Sequence, residues 1–112
     1  MGQEGCQAAL IIANPLSLGY RSQVVRAATI PTMYEVDSFV RDGGLISYGP
    51  TIPPLYRDAA SYVDKVLRGA SPADLPVNQP TQFALAINMK AADAFGLVVL
   101  PSMLALADEV VE

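Results

Sequence analysis

The side chains that usually carry enzyme chemistry are sparse in this sequence. Histidine is absent and Cys6 is the single cysteine, so the usual zinc ligands and a cysteine–histidine nucleophile pair are missing. The acidic pairs Asp37/Asp42 and Asp58/Asp64 lie at spacings that do not bring two side chains together on one helix face. The sequence therefore predicts no catalytic site, no metal site and no cofactor.

Polar groups instead follow three short apolar segments, residues 8–13, 32–35 and 45–48, which are typical of buried strands in a parallel sheet. Ligands of open α/β sheets bind outside the carboxyl ends of the strands. This rule points to a small set of candidate ligand-binding residues. They are Asn14, Ser17, Glu35, Tyr48 and Gly49.

Each candidate side chain has a ligand-binding role and a structural alternative. Asn14 or Ser17 could donate to a ligand carboxylate, but asparagine before proline is also a common turn and serine a common helix cap. Glu35 could bind a ligand ammonium group, or it could cap the short helix that follows. Tyr48 could stack on an apolar or aromatic ligand, or it could be a packing residue.

Helical patterns separate these strands, and a further strand is predicted at 81–87. The predicted helices cover residues 17–28, 36–42, 53–68, 88–95 and 101–111. Ser17 and Asn88 are the predicted N-caps, and glycines at 43–44, 69 and 96 are the predicted stops. Alternation of strands and helices favours an α/β fold built on a parallel sheet.

Two of these helices carry more detailed predictions. In the first, Tyr20, Val24 and Val25 fall on the inward-facing stripe. In the helix at 53–68, Asp64 and Arg68 have the spacing and order of a favourable ion pair. The segment at 70–80 contains three prolines and is predicted to be an extended connection.

Composition excludes several function classes. The seven basic residues are scattered and the net charge is −4, which argues against binding to nucleic acid or to an anionic membrane surface. No apolar segment approaches the length of a membrane span, and the first residues lack the pattern of an export signal. With 52% hydrophobic residues, the chain is apolar for a small domain. We therefore expect some apolar surface to contact a partner segment.

A collinear set of segments covers roughly the last three-quarters of the chain. Its members are IPTMYE at 30–35, GGLISYGP at 43–50, LYR at 55–57, YVDKVL at 62–67, PADLPV at 72–77, QPT at 79–81, IN at 87–88, AFGL at 94–97 and ADEV at 107–110. In order and spacing they resemble the ABC transporter substrate-binding protein family, which includes tryptophan- and tyrosine-type binders. Such a set is far more specific than one short motif.

The resemblance implies a type I periplasmic-binding fold, in which two Rossmann-like lobes hold a ligand in the cleft between them. This chain would be the C-terminal portion: α/β, with a mostly parallel sheet and helices on both faces. Residues 1–69 would form part of one ligand-binding lobe. Residues 70–80 would be a proline-rich hinge crossing, and residues 81–112 would complete the lobes.

The resemblance also implies a function without covalent chemistry. Intact relatives capture a small organic solute, such as an amino acid, and deliver it to an ABC permease in the membrane. The family is periplasmic or otherwise extracytoplasmic, whereas this sequence as given predicts a cytoplasmic product because it shows no export signal. Leu106 stands where the family usually has a basic residue. This leaves open a truncated remnant that binds nothing, or an interaction module that forms a homodimer through its uncovered apolar face.

Overall fold

A computed structural model describes residues 5–112 of the chain, and it has the predicted α/β fold with a five-stranded, mostly parallel sheet. The strands are β1 (Ala9–Ile11), β2 (Thr32–Tyr34), β3 (Ile46–Pro50), β4 (Phe83–Asn88) and β5 (Glu109–Val111). The helices are α1 (Pro15–Gly19), α2 (Arg21–Ala27), α3 (Ser38–Arg41), α4 (Ile52–Leu67), α5 (Met89–Ala94) and α6 (Pro101–Leu106), with a 3-10 turn at Pro72–Asp74.

The strands are ordered in the sheet as they are in the sequence, from β1 to β5. Pairing is parallel between β1 and β2, where Ile11 is opposite Tyr34, and between β2 and β3, where Tyr34 is opposite Ser47. It is also parallel between β4 and β5, where Ile87 is opposite Val110. Parallel strands need crossover connections, which is why a helical segment lies between each pair.

The core of the sheet forms around an aromatic pair. The rings of Tyr34 on β2 and Phe39 on α3 are stacked, with centroids 4.9 Å apart and planes inclined by 11°. Both side chains are buried, and burial raises the pKa of the Tyr34 hydroxyl. Gly44 lies against the pair: a Cβ at this position would be 2.7 Å from Cε2 of Tyr34. The chain can therefore pass this close to the ring only where it has no side chain.

The first predicted helix is in fact two short helices that meet at Tyr20. The prediction that Ser17 caps it is wrong, because Asn14 is the N-cap and Ser17 lies three residues into α1. The early start follows from Pro15, which suits a first helical position. Tyr20 is 55% exposed and does not face inward. Val24 and Val25 do pack against the core, as predicted.

The end of the chain also differs from its sequence-based prediction. The last helix ends at Leu106, and Glu109–Val111 forms the edge strand β5 instead of a final helical turn. Val110 and Val111 are β-branched residues that suit a strand, and they pair with Ile87 and Asn88 of β4. The free edge of β4 thus determines the conformation of a segment whose own pattern is ambiguous.

The contacts divide the chain into a larger unit, which ends at Gly49 and resumes at Ala84–Glu112, and a smaller unit, Pro50–Phe83. In the smaller unit, the predicted ion pair of α4 is present, with Arg68 Nε 2.9 Å from Asp64 Oδ1. Gly69 follows with a φ of 101°, the left-handed conformation that ends helices.

Candidate functional site

The register of the sheet brings the ends of β1, β2 and β3 to one edge. Because Ile11, Tyr34 and Ser47 are aligned across these strands, the residues that follow them emerge side by side. All of the candidate ligand-binding residues belong to this part of the larger unit. The carboxyl edge of parallel strands is where open α/β sheets bind ligands.

Glu35 bridges the ends of β1 and β2. Its carboxylate Oε2 accepts a hydrogen bond from the backbone N–H of Ala13 at 2.9 Å, and its own N–H donates to the carbonyl of Ile11 at 3.2 Å. Glu35 therefore does not take the helix-capping role that the sequence left open, because the N-cap of α3 is Asp37. The partly buried carboxylate is held against the end of β1, and a carboxylate of this kind can accept several hydrogen bonds.

Gly49 lies directly against the backbone of Glu35. A Cβ at Gly49 would be 1.9 Å from the carbonyl oxygen of Glu35 and 3.2 Å from its Cγ. Real Cβ atoms are never found so close to a carbonyl oxygen, so this position requires glycine. The absence of a side chain here allows β3 to approach the carboxylate-bearing end of β2.

Asn14 and Ser17 form a reciprocal capping box at the start of α1. The side-chain oxygen of Asn14 accepts from the N–H of Ser17, and the Ser17 hydroxyl oxygen accepts from the N–H of Asn14, both at 2.9 Å. The structural alternative that the sequence offered for this pair is thus present as a pair of helix-capping bonds. The two residues also line an open depression of about 390 Å³ beside α1 and α2.

Tyr48 alternates with two buried neighbours on β3. Ser47 and Gly49 are buried, whereas Tyr48 is 53% exposed, so its ring projects from the opposite side of the strand. The ring therefore presents an accessible aromatic surface one residue from the contact between Gly49 and Glu35. The structure thus brings Glu35, Gly49 and the backbone of Ala13 together, and Tyr48 adjoins Gly49 in β3 with its ring on the opposite side of the strand.

Two features of this edge were not found from the sequence. The partner of the Glu35 carboxylate is the backbone N–H of Ala13, 22 positions away, and no side-chain pattern signals such a contact. Ser47 is 1% exposed, and within the part of the chain that the structure describes its hydroxyl has no hydrogen-bond partner. The alternation of inward- and outward-facing residues along β3 is the one sequence signal from which the burial of Ser47 could have been predicted.

Two other kinds of functional segment are absent from residues 5–112. No helix in this range is long and apolar enough to cross a membrane. No group of three or more histidine, cysteine, aspartate or glutamate side chains in the same range is arranged to hold a metal ion.

Comparison with known proteins identifies a family and solved structures with this fold. A family model described as ABC transporter substrate binding protein matches residues 3–111. Among curated proteins, none matches the chain.

Two solved structures superpose closely on this chain. One is a conserved domain protein from Vibrio cholerae, 24% identical, with a TM-score of 0.86 over 96% of this chain and 37% of that one. The other is an ABC domain from Streptococcus pneumoniae in complex with L-Trp, 26% identical, with a TM-score of 0.86 over 98% of this chain and 38% of that one. The chain thus spans well under half the length of either relative.

Proposed function

The chain belongs to the family of ABC transporter substrate-binding proteins, and from that premise we propose that it forms the C-terminal part of a receptor that captures a small organic solute, such as an amino acid, for import. Substrate-binding proteins are non-enzymatic components of transport systems. The observation that carries the proposal is the position of Glu35 and Gly49 at the carboxyl edge of the parallel strands. The solved relative in complex with L-Trp supports an amino acid as the class of ligand.

In this proposal each edge residue has a separate role. Glu35 binds the ligand ammonium group, because a charge-assisted hydrogen bond to a carboxylate is roughly twice as strong as a neutral one. Tyr48 packs its ring against the apolar or aromatic body of the ligand. Gly49 lets β3 approach the backbone of Glu35 and so holds that residue in position. Asn14 and Ser17 border the site and hold the start of α1 in place.

The remaining parts of the chain follow from the same proposal. Residues 1–69 contribute to one ligand-binding lobe, residues 81–112 complete the lobes, and the segment 70–80 is the hinge that absorbs backbone change when the lobes close. The partner is an ABC permease, and the compartment is periplasmic or extracytoplasmic. The rival proposal is a remnant that binds nothing or an interaction module that forms a homodimer. It draws on the exposed apolar side chains of Leu10 on β1 and of Ile12 directly after it, which are 64% and 68% exposed.

Thermal unfolding in the presence of single amino acids tests the proposal, with L-Trp as the first ligand. A ligand that binds the folded state stabilises it by about 2.7 kcal/mol when its free concentration is 100 times Kd. We expect a rise in Tm with at least one amino acid, and a smaller rise in a Glu35→Gln variant. No rise with any of the twenty amino acids, together with a concentration-dependent dimer in analytical ultracentrifugation, would favour the interaction module instead.

A further inference from the structure

A small polar recess lies within the smaller unit, between the first two turns of α4 and the residues that lead into β4. Its volume is about 170 Å³, well below the roughly 300–1,000 Å³ of pockets for drug-sized ligands. All of its lining residues belong to Pro50–Phe83, so its shape depends on this unit alone. The residues that line this α4 recess are Thr51, Pro54, Leu55, Arg57, Asp58, Pro80, Thr81 and Gln82.

The two walls of the recess are joined at one end. The backbone N–H of Thr51 donates to the carbonyl of Gln82 at 3.0 Å, and the Thr51 hydroxyl reaches the same carbonyl at 3.5 Å. Thr51 precedes α4, but its side chain makes no capping bond to the helix. Its hydroxyl oxygen therefore keeps a lone pair that can accept a hydrogen bond from a ligand.

The positive charge of the recess has no partner. Ion pairs among residues 5–112 join Arg21, Arg41 and Arg68 to carboxylates, and none of them includes Arg57. The guanidinium of Arg57 thus keeps its fork of N–H donors, whose geometry matches a carboxylate.

The negative charge of the recess has a partner on one oxygen only. Asn78 Nδ2 donates to Asp58 Oδ2 at 3.3 Å, which orients the carboxylate. Within the described part of the chain no donor reaches Oδ1, and an ionised carboxylate can accept several hydrogen bonds. Arg57 and Asp58 are neighbours on the helix, 100° apart around its axis, and they form no ion pair with each other. The recess therefore offers a separate donor and a separate acceptor of opposite charge.

We propose that the α4 recess binds the zwitterionic headgroup of a free α-amino acid. The ligand carboxylate accepts from Arg57, and the ligand ammonium group donates to Asp58 Oδ1 and to the Thr51 hydroxyl oxygen. Hydrogen bonds between charged groups are roughly twice as strong as neutral ones. A simple anion in the recess is repelled by Asp58 and a simple cation by Arg57, whereas a zwitterion satisfies both.

This site goes beyond the proposed function, because it lies in the smaller unit and uses neither Glu35 nor the strand edge. Both of its charged side chains are exposed, and exposed charge pairs contribute little free energy. We therefore expect a Kd in the millimolar range. The recess has room for the headgroup alone, so glycine, L-alanine and L-serine should bind with similar affinity.

Nuclear magnetic resonance of the full 112-residue chain tests the proposal with three ligands of equal size class: glycine, acetate and methylammonium. Glycine should shift the amide signals of Thr51, Arg57, Asp58, Thr81 and Gln82. Acetate and methylammonium should bind at least about tenfold more weakly, because each lacks one of the charge-assisted contacts. Acetate binding as tight as that of glycine would make the recess a plain anion site and overturn the proposal. Unshifted recess amides at a glycine concentration about 100 times the expected Kd would overturn it as well.

Matched variants on the same helix separate the recess from the overall charge of the protein. Arg57→Gln and Asp58→Asn should each weaken glycine binding about tenfold or more. Arg68→Gln and Asp64→Asn are the controls, since these two residues pair with each other at 2.9 Å outside the recess. The controls should leave glycine affinity unchanged, and circular dichroism checks that all four variants are folded. Equal losses in Arg57→Gln and Arg68→Gln would contradict the proposed contacts.

Glu35→Gln distinguishes this site from the one at the strand edge. Shifts of the recess amides that persist in Glu35→Gln and vanish in Arg57→Gln would support the recess, whatever the fate of the proposed function. Shifts confined to the neighbours of Glu35, lost in Glu35→Gln and unaffected by Arg57→Gln, would support the strand edge and remove the recess.

Discussion

The carbonyl oxygen of Glu35 and the Cα of Gly49 approach each other so closely that a Cβ at position 49 would be 1.9 Å from that oxygen. This contact joins the residue that directly follows β2 to a residue near the end of β3, at the edge where the candidate ligand-binding groups lie. It also fixes the position of the Glu35 backbone, from which the carboxylate reaches the N–H of Ala13. The conformation of the site therefore depends on a residue that has no side chain.

Gly49→Ala should destabilise the protein because the new methyl group forces β2 and β3 apart. Overpacking of this kind costs roughly 1–3 kcal/mol, and we expect the upper part of that range because the obstacle is backbone. The measurement is the midpoint of urea unfolding followed by circular dichroism. Gly19→Ala is the control, since a Cβ there has nothing within 4 Å and alanine favours the helix. Equal unfolding midpoints for Gly49→Ala and Gly19→Ala would contradict the close contact between Gly49 and Glu35.

Glu35→Gln separates the charge of this residue from its hydrogen bond. Glutamine keeps a side-chain oxygen that can accept from the N–H of Ala13, so stability should change by less than about 1 kcal/mol. Loss of the charge should weaken binding of an amino acid by roughly ten- to a hundredfold, corresponding to 1.5–3 kcal/mol for a hydrogen bond to a charged group. Titration calorimetry with L-Trp and chemical unfolding measure the two effects.

Asp93→Asn, an exposed position on α5, is the matched control for that charge. It removes one negative charge away from the strand edge, and both affinity and stability should stay at the level of the unchanged protein. Unaltered affinity in Glu35→Gln would show that the carboxylate does not bind the ammonium group. A large loss of stability instead would make its role structural.

Local patterns predicted most of the fold because they report on backbone preference and burial together. The apolar segments near β1, β2 and β3, the Asn88 cap and the glycine stops all depend on residues close in sequence. The final segment was assigned wrongly because Val110 and Val111 satisfy a helical spacing as well as a strand. These two residues form a strand because they pair with β4. A pairing partner more than twenty positions away cannot be recognised from the neighbouring residues in the sequence.

The sequence predicted which edge of the sheet carries the candidate site, but not the contacts between its residues. The carboxyl-end rule located Glu35 correctly, directly after β2, whereas Gly49 lies inside β3 and not after it. The rule also could not show that one packs on the other. That contact involves a backbone oxygen and an absent side chain, and neither leaves a periodic signal. For Asn14 and Ser17 the pattern favoured a turn or cap over a ligand role, and the reciprocal hydrogen bonds form the cap.

Asn88 and Asn14 are both N-caps, and their surroundings predict different costs of removal. Asn88 is 6% exposed, accepts from the N–H of Ala91 at 3.0 Å and donates to the carbonyl of Val40 at 3.3 Å. Asn14 is an exposed cap. Asn88→Ala should cost about 2 kcal/mol because it removes a cap and one of the hydrogen bonds to the buried carbonyl of Val40, which still accepts from the N–H of Gly43 at 3.0 Å.

Asn14→Ala should cost about 1 kcal/mol or less. Thermal unfolding of Asn14→Ala and Asn88→Ala compares the two losses of stability. A third variant, Asn88→Asp, separates the helix cap from the hydrogen bond to Val40. Aspartate keeps the cap but replaces the donor to Val40 with an acceptor, so it should recover only part of the loss. If Asn14→Ala were the more damaging of the two alanine variants, burial would not be the property that decides the cost.

The ion pair between Arg41 and Glu109 gives the protein a pH-dependent increment of stability. Arg41 Nε is 3.0 Å from Glu109 Oε1 and Nη2 is 2.7 Å from Oε2, so the guanidinium binds both oxygens of the carboxylate and connects α3 to β5. The hydrogen bond from Arg41 lowers the pKa of Glu109 below its ordinary value. A lowered pKa in the folded state means that the stabilisation is present above the unfolded pKa and is lost as the pH falls through the folded one.

Glu109→Gln should therefore reduce stability at neutral pH and have a diminishing effect at acid pH, where the glutamate of the unchanged protein is itself protonated. Both side chains are partly exposed, at 55% and 36%, so we expect a difference of about 1 kcal/mol or less. Urea unfolding at pH 7 and pH 3 measures it, and 1 M salt at pH 7 should reduce it through screening. Arg41 also contacts Asp37 at 2.9 Å, so a double-mutant cycle with Arg41→Gln is needed to isolate the pair. A difference that is as large at pH 3 as at pH 7 would show that Glu109 acts through packing and not through its charge.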